Sequence, residues 1–326
     1  MRRRDFIAVV GGVASAVLSR AVAKEQSAPV VGFLSTGWPG PAAPLLTAFR
    51  DGLAEVGYVE GRALTIEYRW AEGRYDRLEP LAAELARRKV AVIAATGGTV
   101  AARAARAATS EIPILFIAGF DPKQEGLVDS INRPRTNATG VSVYTAELGP
   151  KRLEMLLNVV EHGPLAMLTN PGAASTQAEL EDARRFAKLK SVELIELSAA
   201  SSQDIDAKFE EAAQRGARAI FVSADSFFTN ERIKIVTLAA KYRMPACYPW
   251  PEYVNAGGLM SYGPNLAWAY RQIGTYAGRI LKGGKASDLP VVFPTRYETV
   301  INAKLAKDLG LSLPKMLLIA ADQVIE

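Results

Sequence analysis

The chain has 326 residues, a formal net charge of +5, one cysteine and one histidine. A single cysteine excludes a disulfide within the chain, and so few Cys and His residues exclude the metal sites that are built from them. Lysines and arginines are scattered among acidic residues rather than gathered with aromatic ones, which argues against nucleic-acid binding.

The first 23 residues have the order of an export signal, which is basic, then apolar, then small. Arginines at positions 2–4 precede an apolar run over 8–18, and alanines at positions 21 and 23 frame a cleavage site. The apolar run is about half of the roughly 20 residues that span a bilayer, which favours a cleaved signal over a membrane anchor. We therefore expect a soluble periplasmic chain that is cleaved near Ala23.

Arg3 and Arg4 also fit the twin-arginine pattern, which directs proteins that are exported already folded. The alternative is that they are ordinary arginines of a general secretory signal. Residues 1–23 hold four arginines and one aspartate, so the net charge falls from +5 to +2 without them. The basic character belongs largely to the signal, and the remaining length of about 300 residues favours two domains.

The first half of the mature chain alternates short apolar strands with helical periodicity. Strands are predicted at 30–34, 64–70, 90–95 and 112–118, and helices at 45–56, at 78–88 and from the segment 96–99 onward. This alternation is typical of a parallel sheet that helices cover on both faces.

The second half repeats the order of the first. Strands are predicted at 165–168, 192–197 and 219–222, and helices at 174–190, 203–215 and 228–243. Residues 92–98 align with 219–225, which indicates two α/β domains of similar connectivity rather than one large sheet. Glycine- and proline-rich stretches on either side of a helix at 266–281 are candidate crossings between the domains.

Several motifs along the chain together resemble the ABC-transporter substrate-binding proteins of the tryptophan/tyrosine-type group. These proteins are related to the periplasmic binding proteins of type 1. The motifs are VGFLSTG at 31–37, GYVEGR at 57–62, EYRWAEG at 67–73, DP at 121–122, NATGV at 137–141, AD at 224–225, AGGLMSYG at 256–263 and IN at 301–302.

The resemblance covers essentially the whole mature chain and implies a type 1 clamp. Its fold class is α/β, with two similar doubly wound parallel-sheet domains joined by three hinge crossings. We place lobe 1 at 28–140 plus 264–292, and lobe 2 at 141–263 plus 293–326.

The resemblance also implies a function without catalysis or a cofactor. The clamp is expected to close on a small solute and to dock onto an ABC permease that works with a cytoplasmic ATPase. Members of the group with assigned ligands include binders of aromatic amino acids. We therefore predict a monomer that binds a small zwitterion, an aromatic amino acid being the leading candidate.

Candidate ligand-binding residues follow the predicted strands, because ligands of open α/β sheets bind beyond the carboxyl ends of the strands. Thr96, Gly97, Gly98 and Thr99 open a helix, where free amides and a hydroxyl suit a carboxylate. Asp225 has the equivalent position in the other half and suits an ammonium group. The structural alternative at both places is a plain helix N-cap.

Other polar and aromatic residues near strand ends complete the candidate set. Trp38, Phe120 and Trp250 can stack on a ring of the solute, although packing is the commoner role of aromatic residues. The remaining candidates are Ser35, Thr36, Asp121, Asn170, Glu252 and Tyr262.

Two other functions remain open at this point. One is an exported α/β enzyme that acts on a small organic acid, with Asp225 or Glu252 as acid or base. The chain lacks a G-x-S-x-G elbow, and its lone His162 lies in a turn-like junction, so Ser-His-Asp catalysis is not supported. The other is a periplasmic sensor subunit that presents its liganded form to a membrane kinase.

Overall fold

The computed structural model describes residues 28–144, 146–160, 163–173 and 176–326. The predicted export signal, His162 and the predicted helix start at residue 174 lie outside the described residues. Up to residue 144 the elements are β1 (Val30–Ser35), α1 (Pro39–Glu55), β2 (Thr65–Trp70), α2 (Leu78–Arg87), β3 (Val92–Ala95), α3 (Gly98–Ala108), β4 (Ile114–Ala118) and β5 (Ala138–Ser142).

The rest of the described chain adds nine helices and seven strands. They are α4 (Gly149–Leu157), β6 (Leu165–Thr169), α5 (Thr176–Lys190), β7 (Leu194–Ser198), α6 (Ser202–Gln214), β8 (Ala219–Val222), α7 (Ser226–Asn230), α8 (Arg232–Lys241), β9 (Ala246–Tyr248), α9 (Pro251–Asn255), β10 (Met260–Pro264), α10 (Leu266–Leu281), β11 (Tyr297–Asn302), α11 (Ala303–Leu309), α12 (Lys315–Ile319) and β12 (Gln323–Ile325).

The first sheet has five parallel strands in the order β2-β1-β3-β4-β5. Successive side chains of β3 point to opposite faces, because the side-chain period of a strand is two. Val92 and Ala94 belong to the core beneath α1 and α10, whereas Ile93 and Ala95 belong to the core beneath α2 and α3. Burial on both faces explains why this strand is an uninterrupted apolar run.

The second sheet has seven strands in the order β12-β11-β10-β9-β8-β6-β7. It is parallel except for the antiparallel pair of β10 and β11. In β6, Met167 packs on the side of α4 and α5, and Leu168 packs on the side of α6 and α8. Cys247 is fully buried in β9, and burial raises the pKa of its thiol to about 12.

Helix α10 follows a strand of the second sheet but packs in the first domain. It crosses α1 at close range, because an added Cβ at Gly274 would lie 2.0 Å from the carbonyl oxygen of Phe49. A Cβ at Gly52 would lie equally close, at 2.0 Å, to the carbonyl oxygen of Arg271. Glycines on both helices therefore let the two backbones approach each other.

The chain passes between the sheets three times: after β5, between β10 and α10, and between α10 and β11. Val292 pairs with Val141 in an isolated β-bridge at the first sheet, so the third passage begins after Val292. The expected lobe boundaries at 140 and 263 fall inside β5 and β10, which continue to Ser142 and Pro264.

Most predicted elements are present, but the helix expected at 228–243 is divided. Glu231 has φ −85° and ψ 9°, which ends α7 and precedes α8. Its amide still donates to the carbonyl oxygen of Phe227, so the chain turns without losing its hydrogen bonding. The five residues of α7 are held at their start by Asp225, whose side chain accepts hydrogen bonds from the amides of Phe227 and Phe228.

Candidate functional site

A cavity with both polar and apolar walls lies between the two domains. It is bounded by the carboxyl ends of β1, β3 and β4 in the first domain and of β8 in the second, and it encloses about 940 Å³ including the part open to solvent. Its position follows from the topology, because loops after neighbouring parallel strands meet at the same edge of a sheet. The predicted residues that line this interdomain cavity are Ser35, Thr36, Thr96, Gly97, Gly98, Thr99, Phe120, Asp225 and Trp250.

The N-terminus of α3 opens into the interdomain cavity without a side-chain cap. The first amides of a helix have no partner within it, and its dipole favours negative charge there. Gly97 is required at this turn, because a Cβ would lie 2.5 Å from the amide nitrogen of Thr36. Gly98 has φ +80°, a left-handed conformation that favours glycine.

Two threonine hydroxyls beside this helix end have no hydrogen-bond partner among the described residues. Thr36 and Thr96 are 1% and 4% exposed, and the Oγ1 atoms of both are buried and unpaired. They follow adjacent strands, since Leu34 of β1 pairs with Ala95 of β3. A buried unsatisfied hydroxyl costs about 1 to 3 kcal/mol, so an acceptor from a ligand would stabilise this edge.

Asp225 lines the other side of the interdomain cavity and caps α7. Its Oδ1 atom accepts from Asn170 Nδ2 at 3.0 Å and from the amide of Phe227 at 3.0 Å. Among the described residues, its Oδ2 atom accepts only from Tyr75, at 2.7 Å. Burial raises the pKa of the Asp225 carboxyl, and the hydrogen bonds from Asn170 and Tyr75 oppose that rise. The N-cap alternative is therefore confirmed, and one acceptor site remains on Oδ2.

The domains touch each other across the interdomain cavity. Tyr75 follows β2 in the first domain, so its bond to Asp225 joins the two domains. Arg232 Nη2 at the start of α8 donates to the carbonyl oxygen of Pro41 in α1 at 3.1 Å. The clamp is closed in this structure.

Aromatic rings form much of the remaining wall. Trp250 Nε1 donates to Thr229 Oγ1 at 3.1 Å, and the Tyr270 hydroxyl donates to the carbonyl oxygen of Thr96 at 3.4 Å. Because their polar atoms are engaged, these side chains and Phe120 present mainly carbon surface to the interdomain cavity.

Three predicted site residues lie next to the interdomain cavity without lining it. Asn170 supports Asp225 from behind, as its Nδ2 donates to that carboxylate. Trp38 packs near Gly73, where an added Cβ would lie 2.9 Å from its ring. The Oδ1 atom of Asp121 accepts from the amide of Lys123 and closes a local turn.

Two further predicted residues lie elsewhere. Glu252 is buried in α9, its Oε2 atom has no partner among the described residues, and burial raises the pKa of its carboxyl. Tyr262 lines a separate, mostly apolar hollow with Met155 and Met316 in the second domain. The prediction that these side chains lie at the cleft is not supported, because neither is among the described residues that line the interdomain cavity.

The sequence did not single out several residues that line the interdomain cavity. Tyr75 stands two residues after the EYRWAEG motif, and Arg232 follows Asp225 by seven residues, so proximity to those motifs was the available signal. Tyr270 lies on α10, where helical periodicity indicates core packing. The other lining residues outside the candidate set are Pro41, Ala42, Leu45, Ile117, Gly119, Val143, Ala173, Ala224, Ser226, Thr229, Asn230, Leu266 and Val100, the last being one of the first residues of α3.

Two classes of site are absent from the part of the chain that the structure describes. No group of three or more His, Cys, Asp and Glu side chains is arranged to hold a metal ion. No helix in the described ranges combines the length and apolar character that crossing a membrane requires.

Comparison with known proteins identifies the family. The sequence model of the family described as ABC transporter substrate binding protein matches residues 44–325. The chain belongs to this family. The resemblance seen in the sequence motifs is thereby confirmed, and the family is one of substrate-binding proteins rather than enzymes.

Two proteins that the chain is similar to are distant from it in sequence. A protein of Clostridioides difficile named "Tyrosine-binding protein" is 23% identical over 264 residues, which cover 81% of this chain and 75% of that protein. A structure from Streptococcus pneumoniae, described as an ABC domain in complex with L-Trp, superposes with a TM-score of 0.79 at 24% identity, covering 92% of this chain and all of that one.

A conserved domain protein from Vibrio cholerae superposes with a TM-score of 0.80 at 24% identity, covering 91% of this chain and 100% of the other. These superpositions confirm the expected fold class, with two α/β domains built on parallel sheets.

Proposed function

We propose that this protein is the exported solute receptor of an ABC importer and that it binds a small zwitterion, an aromatic amino acid first, in the interdomain cavity. The observation that carries the proposal is the pair of unpaired Thr36 and Thr96 hydroxyls beside the uncapped start of α3. The names of the relatives support the aromatic amino acid, since one is a tyrosine-binding protein and one holds L-Trp.

The two ionic groups of an amino acid have separate partners in this proposal. The carboxylate lies at the N-terminus of α3 and accepts from Thr36 and Thr96, because that edge offers donors and a positive dipole end. The ammonium group donates to the free acceptor site of Asp225 Oδ2. The side chain lies against Phe120, Trp250 and Tyr270, the aromatic part of the wall.

Transport follows from closure and reopening of the clamp without a chemical step. We propose lobes close to 28–142 plus 265–292 and 143–264 plus 293–326, adjusted to the ends of β5 and β10. The liganded monomer would dock onto permease subunits served by a cytoplasmic ATPase, and would need no cofactor. Residues 1–23 would direct export to the periplasm by the twin-arginine route and be removed.

The carboxylate contact is tested by comparing L-tryptophan with tryptamine, which lacks the carboxylate, in calorimetric titrations of the purified mature chain. We expect L-tryptophan to bind and tryptamine to bind at least tenfold more weakly. Thr96→Val should weaken L-tryptophan binding about tenfold, since a hydrogen bond to a charged group contributes about 1.5 to 3 kcal/mol.

Thr47→Val is the matched control, because Thr47 lies exposed on α1 and bonds only to the carbonyl oxygen of Ala43. Equal affinity for L-tryptophan and tryptamine would reject the carboxylate subsite. Failure of every amino acid to bind would reject the proposed solute.

A further inference from the structure

Arg232 is a cation in the wall of the interdomain cavity whose described partners are only backbone oxygens. Its Nη1 atom donates to the carbonyl oxygen of Thr229 at 3.0 Å, and its Nη2 atom to that of Pro41 at 3.1 Å. Several other arginines of the second domain are paired with carboxylates at the surface, such as Arg184 with Glu196 at 2.6 Å. Among the described residues, Arg232 forms no such ion pair.

Neither Asp225 nor Glu252 forms an ion pair with this guanidinium at contact distance. Asp225 is engaged by Tyr75, by Asn170 and by the amides that it caps. Glu252 is buried outside the interdomain cavity, and burial raises the pKa of its carboxyl while the charge of Arg232 partly opposes the rise. A partly buried guanidinium that forms no ion pair at contact distance with a described carboxylate suits an anionic group brought by the solute.

The donor geometry of Arg232 leaves room for such a group. A guanidinium carries five N–H donors, and two of its nitrogens each give one of them to a backbone oxygen here. The remaining donors match the two oxygens of a carboxylate, which arginine binds in a fork. Because Pro41 belongs to the first domain, an acid held by Arg232 would also favour the closed clamp.

We propose that Arg232 binds a second acidic group of the solute, so that the preferred solutes are amino acids or related small acids with an additional carboxylate at their far end. This inference rests on the proposed function, in which the start of α3 takes the first carboxylate. It assigns to Arg232 the discrimination between acidic and neutral solutes of the same shape.

The test uses two pairs of probes that differ by one acidic group. They are L-glutamate with L-glutamine, and 4-carboxy-L-phenylalanine with L-phenylalanine, titrated calorimetrically into the mature chain. In at least one pair we expect the acidic member to bind at least tenfold more tightly than the neutral one. In Arg232→Met that preference should fall by at least tenfold, and Arg232→Lys should keep part of it, since it retains the charge without the fork.

Arg185→Met is the matched control, because it removes the same charge from an arginine that is exposed on α5. It should keep the full preference for the acidic probe. If Arg232→Met weakened the binding of both members of a pair equally, Arg232 would only hold the two domains together, and the inference would be overturned. The absence of any preference for the acidic probe in the unmodified protein would also overturn it.

The two proposals fail in different ways. Binding of L-tryptophan with none of the four probes would overturn the role of Arg232 and leave the receptor function standing. No binding by L-tryptophan or by any of the four probes would overturn both. Thermal unfolding of each variant establishes that a lost affinity does not come from a lost fold.

Discussion

Tyr75 and Asp225 form the most consequential single contact of the closed clamp. The hydroxyl donates to Asp225 Oδ2 at 2.7 Å, where Asp225 is buried and Tyr75 is half-buried between the domains. Burial raises the pKa of Tyr75 well above its ordinary value, so the phenol stays protonated and remains a donor. The bond exists only when the domains are together, and it therefore biases the equilibrium between open and closed forms.

Tyr75→Phe should weaken solute binding about tenfold, because a hydrogen bond to a charged partner contributes about 1.5 to 3 kcal/mol to the closed form. Calorimetric titration with the best-binding amino acid measures the change. Tyr58→Phe is the control, as Tyr58 lies in the same domain but packs near Gly278 of α10. An unchanged affinity in Tyr75→Phe would show that this contact does not hold the clamp shut.

For individual residues, the sequence predicts which side chains line the interdomain cavity better than it predicts which residues contact the opposite domain. Nine of the fourteen candidate residues line the interdomain cavity, because each follows a strand whose carboxyl end faces the gap. Tyr75 and Arg232 were missed, since their place depends on how the second domain packs against the first. No local periodicity encodes that arrangement.

Among the helices, α1 and α10 are joined by a close backbone approach in the first domain. Gly52 and Gly274 face the partner helix, where a Cβ would lie 2.0 Å from a carbonyl oxygen in each case. The contact fastens a helix that follows β10 of the second sheet to the first domain. It thereby fixes two of the three passages between the domains.

Gly274→Ala should destabilise the first domain by about 1 to 3 kcal/mol, because the new methyl group would clash with the carbonyl oxygen of Phe49. That oxygen belongs to the backbone of α1 and cannot move without shifting the helix. The midpoint of urea unfolding measures the loss. Gly40→Ala is the matched control in α1, where nothing lies within 4 Å of the added Cβ. That change should leave the free energy of unfolding within about 1 kcal/mol of the unmodified protein. Equal midpoints for the two variants would contradict the close approach.

Strong periodicity made several elements predictable almost to the residue. The helix at 266–281 and the strand at 219–222 have their predicted bounds, since each is a regular apolar pattern between turn residues. Strand β5 was missed because its sequence ATGVS carries glycine, threonine and serine in place of an apolar run. Strand β11 was missed because it follows the proline-punctuated segment that ends near Pro294, and β12 because it has only three residues, none of them buried.

For the molecule as a whole, the closed arrangement depends on how tightly the two facing surfaces fit. Gly37 follows β1, and a Cβ there would lie 2.1 Å from Asn230 Oδ1 in the second domain. Ser226 faces Gly98 in the same way, with its Oγ atom 3.0 Å from a Cβ at that position. Glycines on the first domain thus leave room for side chains of the second.

Gly37→Leu should hold the domains apart, because its side chain would occupy the space of Asn230 in the closed form. We expect small-angle scattering to show a radius of gyration that no longer decreases when solute is added, with binding weakened at least tenfold. Gly40→Leu introduces the same side chain where the structure leaves open space, and it should close normally. Solute-induced compaction of Gly37→Leu would contradict this account of closure.

The buried thiol of Cys247 has a practical consequence for observing these motions. The thiolate is the form that attacks alkylating reagents, and a thiol whose pKa is about 12 is almost entirely protonated at neutral pH. We therefore expect that Cys247 does not react with maleimide dyes as long as the chain stays folded. A fluorophore pair attached to newly introduced surface cysteines, one on each domain, would report the opening and shutting of the clamp without removal of the natural residue.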